Sequence, residues 1–95
     1  MSNRKEILIT KYLEFKNNLD NVGFNTKLFP SLEDIDIVDL LMFFNLCFAF
    51  TTEYEATIRN LAESYNVEVT EEEYAKGMPL ITEYIDWLKL FQKSC

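Results

Sequence analysis

The sequence predicts an all-α protein, a single small bundle of four to five helices that spans residues 1–95 around a very apolar central helix at about 32–50. Apolar residues recur at intervals of three and four, which is the period of one helix face. The chain holds only two glycines and two prolines, and Ser or Thr precedes an acid by three residues at several points, as at helix starts. Ninety-five residues are enough for one hydrophobic core, so we expect one domain.

The first helix is predicted over residues 4–20. Gly23 lies just beyond it, and the segment NVGFNTKLFP contains the glycine, asparagines and proline that are typical of a loop. The apolar face of this helix is predicted from four positions spaced by four, three and four: Leu8, Tyr12, Phe15 and Leu19.

The second helix is the most apolar part of the chain. Ser31 and Asp34 resemble a capping box, which predicts a start near residue 32. From Ile35 to Phe50 the apolar residues cover nearly every direction of the helical wheel. A helix that is apolar on all sides must be surrounded by other helices or by a partner. We therefore expect this helix at the centre of the fold.

The boundary between the second and third helices has two interpretations. Thr51 and Thr52, followed by Glu53 and Glu55, match a second capping box. Two threonines do not force a break, however, and one long helix over residues 32–65 is the alternative. The third helix is predicted to be amphipathic, with apolar positions Tyr54, Ile58, Leu61 and Tyr65.

The last helix is predicted to start at another capping box, formed by Thr70 and Glu73. Pro79 lacks a backbone N–H and disfavours the helical conformation at Met78, so we expect a kink or a restart there. The helix then continues with an apolar stripe: Ile81, Tyr84, Ile85, Leu88 and Phe91.

The charge of the chain is the main observation that indicates a class of partner. The net charge of -7 disfavours nucleic acid and anionic membranes and favours a basic protein partner. Each acidic cluster lies at a predicted helix start, where acids also complement the helix dipole. If those starts meet at one end of the bundle, they form a negative surface; otherwise they are only helix caps. The predicted partner-binding residues are these acids and two amphipathic tyrosines: Glu33, Asp34, Asp36, Glu53, Glu55, Glu68, Glu71, Glu72, Glu73, Tyr54 and Tyr74.

The residues needed for most catalysis are scarce. The chain has no histidine, and Cys47 stands in an apolar run as an inert core thiol. The Asp34-Ile-Asp36 segment lacks the glycine and glutamate that a calcium loop requires. We therefore expect no enzymatic activity, no cofactor and no metal.

The cellular location is predicted from the cysteines and from the hydropathy of the chain. Cys47 and Cys95 do not form a disulfide framework, which favours a reducing compartment and hence the cytoplasm. No signal peptide is visible, and the longest apolar run is too short to span a membrane.

One family resemblance is present. The segment from Glu33 to Leu41 resembles the Asp-Ser-Leu-Asp-x-Val-Glu-Leu segment of acyl carrier proteins, which are small acidic four-helix proteins whose serine carries phosphopantetheine. Asp34 stands where that serine would be. Residues 67–76 and 84–88 are similar to the closing segment of the family, with residues 42–66 as an insertion. The resemblance implies a carrier-like domain without the prosthetic group, because a carboxylate cannot accept it through a hydroxyl.

Three functions follow from these observations. The preferred one is a non-catalytic acidic protein that binds a basic protein and inhibits or neutralises it, as immunity proteins and phage-encoded inhibitors do. The first alternative is the carrier-like domain. The second is a helical homo-oligomer, structural or adaptor in role, that buries Phe43, Phe44 and Phe48 across subunits.

Overall fold

The computed structural model describes residues 3–94, and within that range it contains α-helices and one short 3-10 turn, Thr26–Leu28, but no strand. The prediction of an all-α bundle is confirmed. Met1, Ser2 and Cys95, which enter the predictions about a signal peptide and a second cysteine, lie outside the described residues. The helices are α1 (Arg4–Asn21), α2 (Ile37–Phe48), α3 (Tyr54–Ser64) and α4 (Glu71–Lys93).

Helix α1 is closed at both ends by local hydrogen bonds. The side chain of Asn3 accepts from the backbone N–H of Lys5 at the start. At the end, Gly23 adopts φ +83°, a left-handed conformation that favours glycine. The backbone N–H of Phe24 then donates to the carbonyl of Leu19 at 3.0 Å. This turn directs the Phe24 side chain into the core.

Helix α2 starts at Ile37, so the prediction of a start near residue 32 is wrong. The hydroxyl of Ser31 accepts from Glu33 N at 3.2 Å, but this cap serves only one turn. Asp36 has an extended backbone and accepts from Asp39 N at 3.0 Å, which makes it the true N-cap. The extended conformation of Asp36 separates the turn from the helix.

The break between α2 and α3 is real, which excludes one helix over residues 32–65. Helix α2 ends at Phe48 rather than at residue 50. The Thr51 hydroxyl accepts from Glu53 N at 3.0 Å, and the Thr51 carbonyl accepts from the Lys89 ammonium at 3.0 Å. Glu53 caps α3 without a side-chain hydrogen bond, so the predicted capping box does not form.

Helix α4 begins with the predicted capping box. Thr70 accepts from Glu73 N at 3.2 Å, and the Glu73 carboxylate accepts from Thr70 N at 2.6 Å. Pro79 lies inside one continuous helix, so the predicted restart does not occur. Pro79 and Ala75 are both exposed, and water can therefore satisfy the Ala75 carbonyl that lacks its usual partner.

Helix α4 is the common partner of the other helices. Its end lies beside the start of α1, where the Arg4 guanidinium donates to Phe91 O at 3.0 Å. Its last half also lies beside the start of α3, where the Tyr54 hydroxyl donates to Asp86 at 2.8 Å. Helices α1 and α3 therefore run antiparallel to α4.

Aromatic rings fill the core between these helices. The rings of Phe15 and Tyr84 stack with their centroids 4.2 Å apart, which joins α1 to α4. The sole tryptophan, Trp87, stacks on Phe91 at 4.8 Å, and the Lys11 ammonium lies 5.4 Å from its ring centroid. Trp87 thus marks the contact between α1 and α4.

Within the described chain, α2 is covered on one side only. Its buried face consists of Ile37, Leu40, Phe44 and Phe48. The opposite side is exposed, so other helices of the same chain do not surround α2. Phe44 and Phe48 belong to the core of their own subunit and cannot pack across subunits as the oligomer alternative required.

Gly77 lies where α4 packs closely against Phe24 of the loop after α1. A Cβ atom at position 77 would lie 2.5 Å from Cδ2 of the buried Phe24 ring. We expect Gly77→Ala to lower the free energy of unfolding by about 1–3 kcal/mol, because the ring must move in a packed core. Urea unfolding checks this, with Lys76→Ala as the exposed neighbouring control. A gain of about 1 kcal/mol, as helix propensity alone predicts, would contradict the steric argument.

Candidate functional site

The predicted acids around Arg59 form ion pairs within the chain. Both carboxylate oxygens of Glu71 accept from the Arg59 guanidinium, at 2.7 and 2.8 Å, and Glu55 accepts at 3.1 Å. The hydrogen bond from Arg59 lowers the pKa of Glu71, and the same contact raises the pKa of Arg59. Glu72 pairs with Lys76 at 3.0 Å. Arg59, Glu55 and Glu71 thus form one ion-pair network, and Glu72 with Lys76 forms a separate pair.

The other predicted acids of α3 and α4 do not gather at one end of the bundle. Glu73 belongs to the capping box, and the backbone carbonyl of Glu68 accepts from Asn25 at 3.1 Å. Glu53 lies at the start of α3, beside Asp86 of α4. Residues 71 and 86 of α4 are separated by about 22 Å along the helix axis. Glu53 is therefore remote from the start of α4, whereas Glu55, in the first turn of α3, meets Glu71 at Arg59.

The two predicted aromatic anchors are buried. Tyr54 is 7 % exposed and Tyr74 is 6 % exposed. The Arg59 guanidinium lies 4.1 Å from the Tyr74 ring centroid and covers its outer face. Both rings are occupied by contacts within the chain, so neither is available as an exposed anchor.

The acids at the start of α2 have a different environment. Glu33 and Asp34 lie in the turn before the helix, Asp36 is its N-cap and Asp39 is in its first turn. All four are exposed. Within residues 3–94 none of them forms a salt bridge. This is the uncompensated acidic cluster that adjoins the exposed side of α2.

We call the exposed apolar side of this helix, together with the turn after it, the α2 surface; it is defined by Val38, Met42 and Leu46 of α2 and by Phe50 of the turn. Their exposed fractions are 55, 57, 84 and 101 %. None of these four residues was among the predicted partner-binding residues, because the helix was expected at the centre of the fold. Their spacing of four, offset from the buried face, is the signal that predicts a second apolar face.

At the other end of α2, an open groove of about 300 Å³ separates it from α4. The floor is apolar and consists of Phe44, Phe48, Ile85 and Leu88. Lys89 and Lys93 lie along the groove. Lys93 is exposed, whereas Lys89 donates to Thr51 O and lies 4.8 Å from the Tyr54 ring centroid. The exposed side of α2 thus has an acidic start and a basic end.

The Cys47 thiol lies in an environment that disfavours a nucleophilic role. Burial raises the pKa of this thiol, which disfavours the thiolate that a nucleophile needs. Among residues 3–94, no three side chains of the types His, Cys, Asp and Glu are grouped as a metal site. In the same part of the chain, no helix combines the length and apolar character needed to cross a membrane.

No protein-family model matches this chain, and no curated protein or solved structure is detectably similar to it. The resemblance to acyl carrier proteins therefore stays a prediction from the sequence. The structure places Asp34 on the surface, in the turn directly before α2.

Proposed function

We propose that this protein is a non-catalytic acidic binding protein that docks on a basic protein and inhibits or neutralises it. The observation that carries the proposal is the α2 surface, an exposed apolar helix face beside the acidic cluster of Glu33, Asp34, Asp36 and Asp39. The very apolar sequence of α2, covered on one side by its own chain, is explained by a partner on the other side.

The apolar part of this surface supplies the affinity. Val38, Met42 and Leu46 recur every four residues, which is the pattern of a helix that lies in an apolar groove of another protein. Their exposure, with that of Phe50, amounts to apolar area on the order of 500 Å². Burial of this area favours binding at about 25 cal/mol per Å², before the costs of association.

The acidic cluster supplies the preference for a basic partner. Arg59 and Lys76 offset part of the charge of the acids that pair with them, whereas the acids at the start of α2 have no such partner within residues 3–94. Exposed charges at the rim of an interface mainly speed association and select the sign of the partner. The proposed partner therefore has an apolar patch with lysines or arginines beside it.

Inhibition is the expected consequence of such docking. A protein that acts without catalysis changes its target only by occupying a surface of it, in one-to-one amounts. If that surface overlaps the active or ligand-binding site of the partner, activity falls with occupancy. An association rate raised by charge attraction suits an inhibitor that must act quickly.

Affinity capture from the native host, followed by kinetic measurement with the captured partner, tests the proposal. We expect Asp36→Asn with Asp39→Asn to slow association about tenfold, since attraction is lost while an asparagine at position 36 still caps the helix. Raising the ionic strength should likewise slow the association of the wild-type protein with the partner.

The matched control is Glu68→Gln with Glu72→Gln. It also removes two negative charges, but near the start of α4. This control should associate at the wild-type rate. If the control loses the partner while the α2 variant keeps it, the binding site is the acidic start of α4. If no basic partner is captured, or if binding ignores salt, the proposal is wrong.

A further inference from the structure

We propose that the α2 surface also binds a second copy of this chain, with the two α2 helices antiparallel across a two-fold axis. This inference goes beyond the proposed function and does not depend on it, although a basic partner and a second copy would compete for the same surface. The exposed apolar area, the geometry of the stripe and the polarity of the flanking charges each support it.

The area is large enough for a reversible dimer. If each copy buries the exposed parts of Val38, Met42, Leu46 and Phe50, the interface covers on the order of 1,000 Å² in total. This is the lower end of specific protein interfaces, where association is weak. We therefore expect a dimer that forms and dissociates with concentration in the micromolar range.

The spacing of the apolar residues on the α2 surface suits a two-fold arrangement. Val38, Met42 and Leu46 form one ridge of residues four apart, along a helix about 18 Å long. Two such ridges interdigitate when the helices cross at about -50°. With Met42 near the axis, Val38 of one copy lies opposite Leu46 of the other. The same contacts then occur twice, as a two-fold interface requires.

The charges at the two ends of the surface select the antiparallel orientation. Asp36 and Asp39 lie at the start of α2, whereas Lys93 lies beside the groove at its end. In the antiparallel dimer, the acidic start of each copy meets the basic end of the other. A parallel pair would bring two acidic clusters together, and like charges across an interface are strongly disfavoured.

Sedimentation equilibrium over a range of protein concentrations tests the proposal. We expect the wild-type chain to pass from monomer to dimer, and Met42→Glu to weaken the dimer at least tenfold. Leu13→Glu is the matched control: Leu13 is 51 % exposed on α1 and Met42 is 57 % exposed on α2. The control should dimerise like the wild type. Far-ultraviolet circular dichroism verifies that both variants are folded.

A charge exchange tests the orientation. Asp39→Lys and Lys93→Glu should each weaken the dimer about fivefold, and the double variant should recover wild-type association because both pairs are restored across the axis. A wild-type chain that stays monomeric at every concentration overturns the proposal, as does a dimer unaffected by Met42→Glu. A double variant no better than the single ones overturns the antiparallel arrangement. Capture of a basic partner is a separate measurement, because a chain that stays monomeric can still bind such a partner through the α2 surface.

Discussion

Replacement of Phe44 by alanine is expected to lower the free energy of unfolding by about 3–5 kcal/mol. Phe44 is 3 % exposed and joins α2 to the other helices through its ring. The ring centroid lies 5.4 to 6.3 Å from those of Tyr12, Phe29, Phe43, Phe48 and Tyr84. Truncation removes these contacts and extends the adjacent groove into the core. Chemical unfolding followed by circular dichroism measures the loss.

The matched control for Phe44→Ala is Leu13→Ala. Leu13 is also a large apolar residue on a helix, but half of its side chain is exposed. Its truncation should change the free energy of unfolding by no more than about 1 kcal/mol. If Phe44→Ala were as mild as this control, the ring would not be the centre of the packing between helices.

Alkaline pH is expected to unfold the protein through Tyr12 and Tyr84. Burial raises the pKa of both hydroxyls above the ordinary value, and for Tyr84 the neighbouring Tyr12 contributes as well. The unfolded chain releases these protons above about pH 10, whereas the folded chain keeps them. The stability that depends on these protons is therefore fully present below that pH. Above it, the free energy of unfolding falls by up to about 1.4 kcal/mol per pH unit for each tyrosine.

Urea unfolding at a series of pH values above and below about pH 10 checks this expectation. Tyr84→Phe should remove about half of the alkaline slope. At neutral pH it should cost little stability, because the buried Tyr84 hydroxyl has no hydrogen-bond partner within the described chain. Leu13→Ala, which removes no titratable group, should leave the slope unchanged. If Tyr84→Phe leaves the slope at its wild-type value, Tyr84 does not titrate differently in the folded state.

Local signals in the sequence predicted the helices well. The face of α1 was predicted completely, because four apolar residues at helical spacing have one way to be buried together. The start of α4 was predicted because the side chains of Thr70 and Glu73 each accept a hydrogen bond from the backbone N–H of the other residue. The start of α2 was not, since Ser31 and Asp36 both offer caps within a few residues and only tertiary packing decides between them.

The residues of the candidate site were harder to predict from the sequence than the helices. An acid at a helix start looks the same whether it faces solvent or an arginine, and only the fold brings Arg59 to Glu71. Tyr54 and Tyr74 are similarly ambiguous, because amphipathic rings serve equally in cores and at interfaces. The exposed half of α2 depends on how many neighbours the rest of the chain supplies. The spacing of the apolar residues predicts a second apolar face on α2, but it does not show whether the rest of the chain covers that face.

The position of Trp87 provides an optical probe for all of these variants. Indole emission depends on the polarity around the ring, and this indole is covered by Phe91 and Lys11 where α1 meets α4. Separation of α1 from α4 would admit water and shift the emission to longer wavelength. The ring contacts of Trp87 are with residues of α1 and α4, so we expect occupation of the α2 surface to leave its emission unchanged. One fluorescence spectrum therefore distinguishes a variant that has lost its fold from one that has lost its partner.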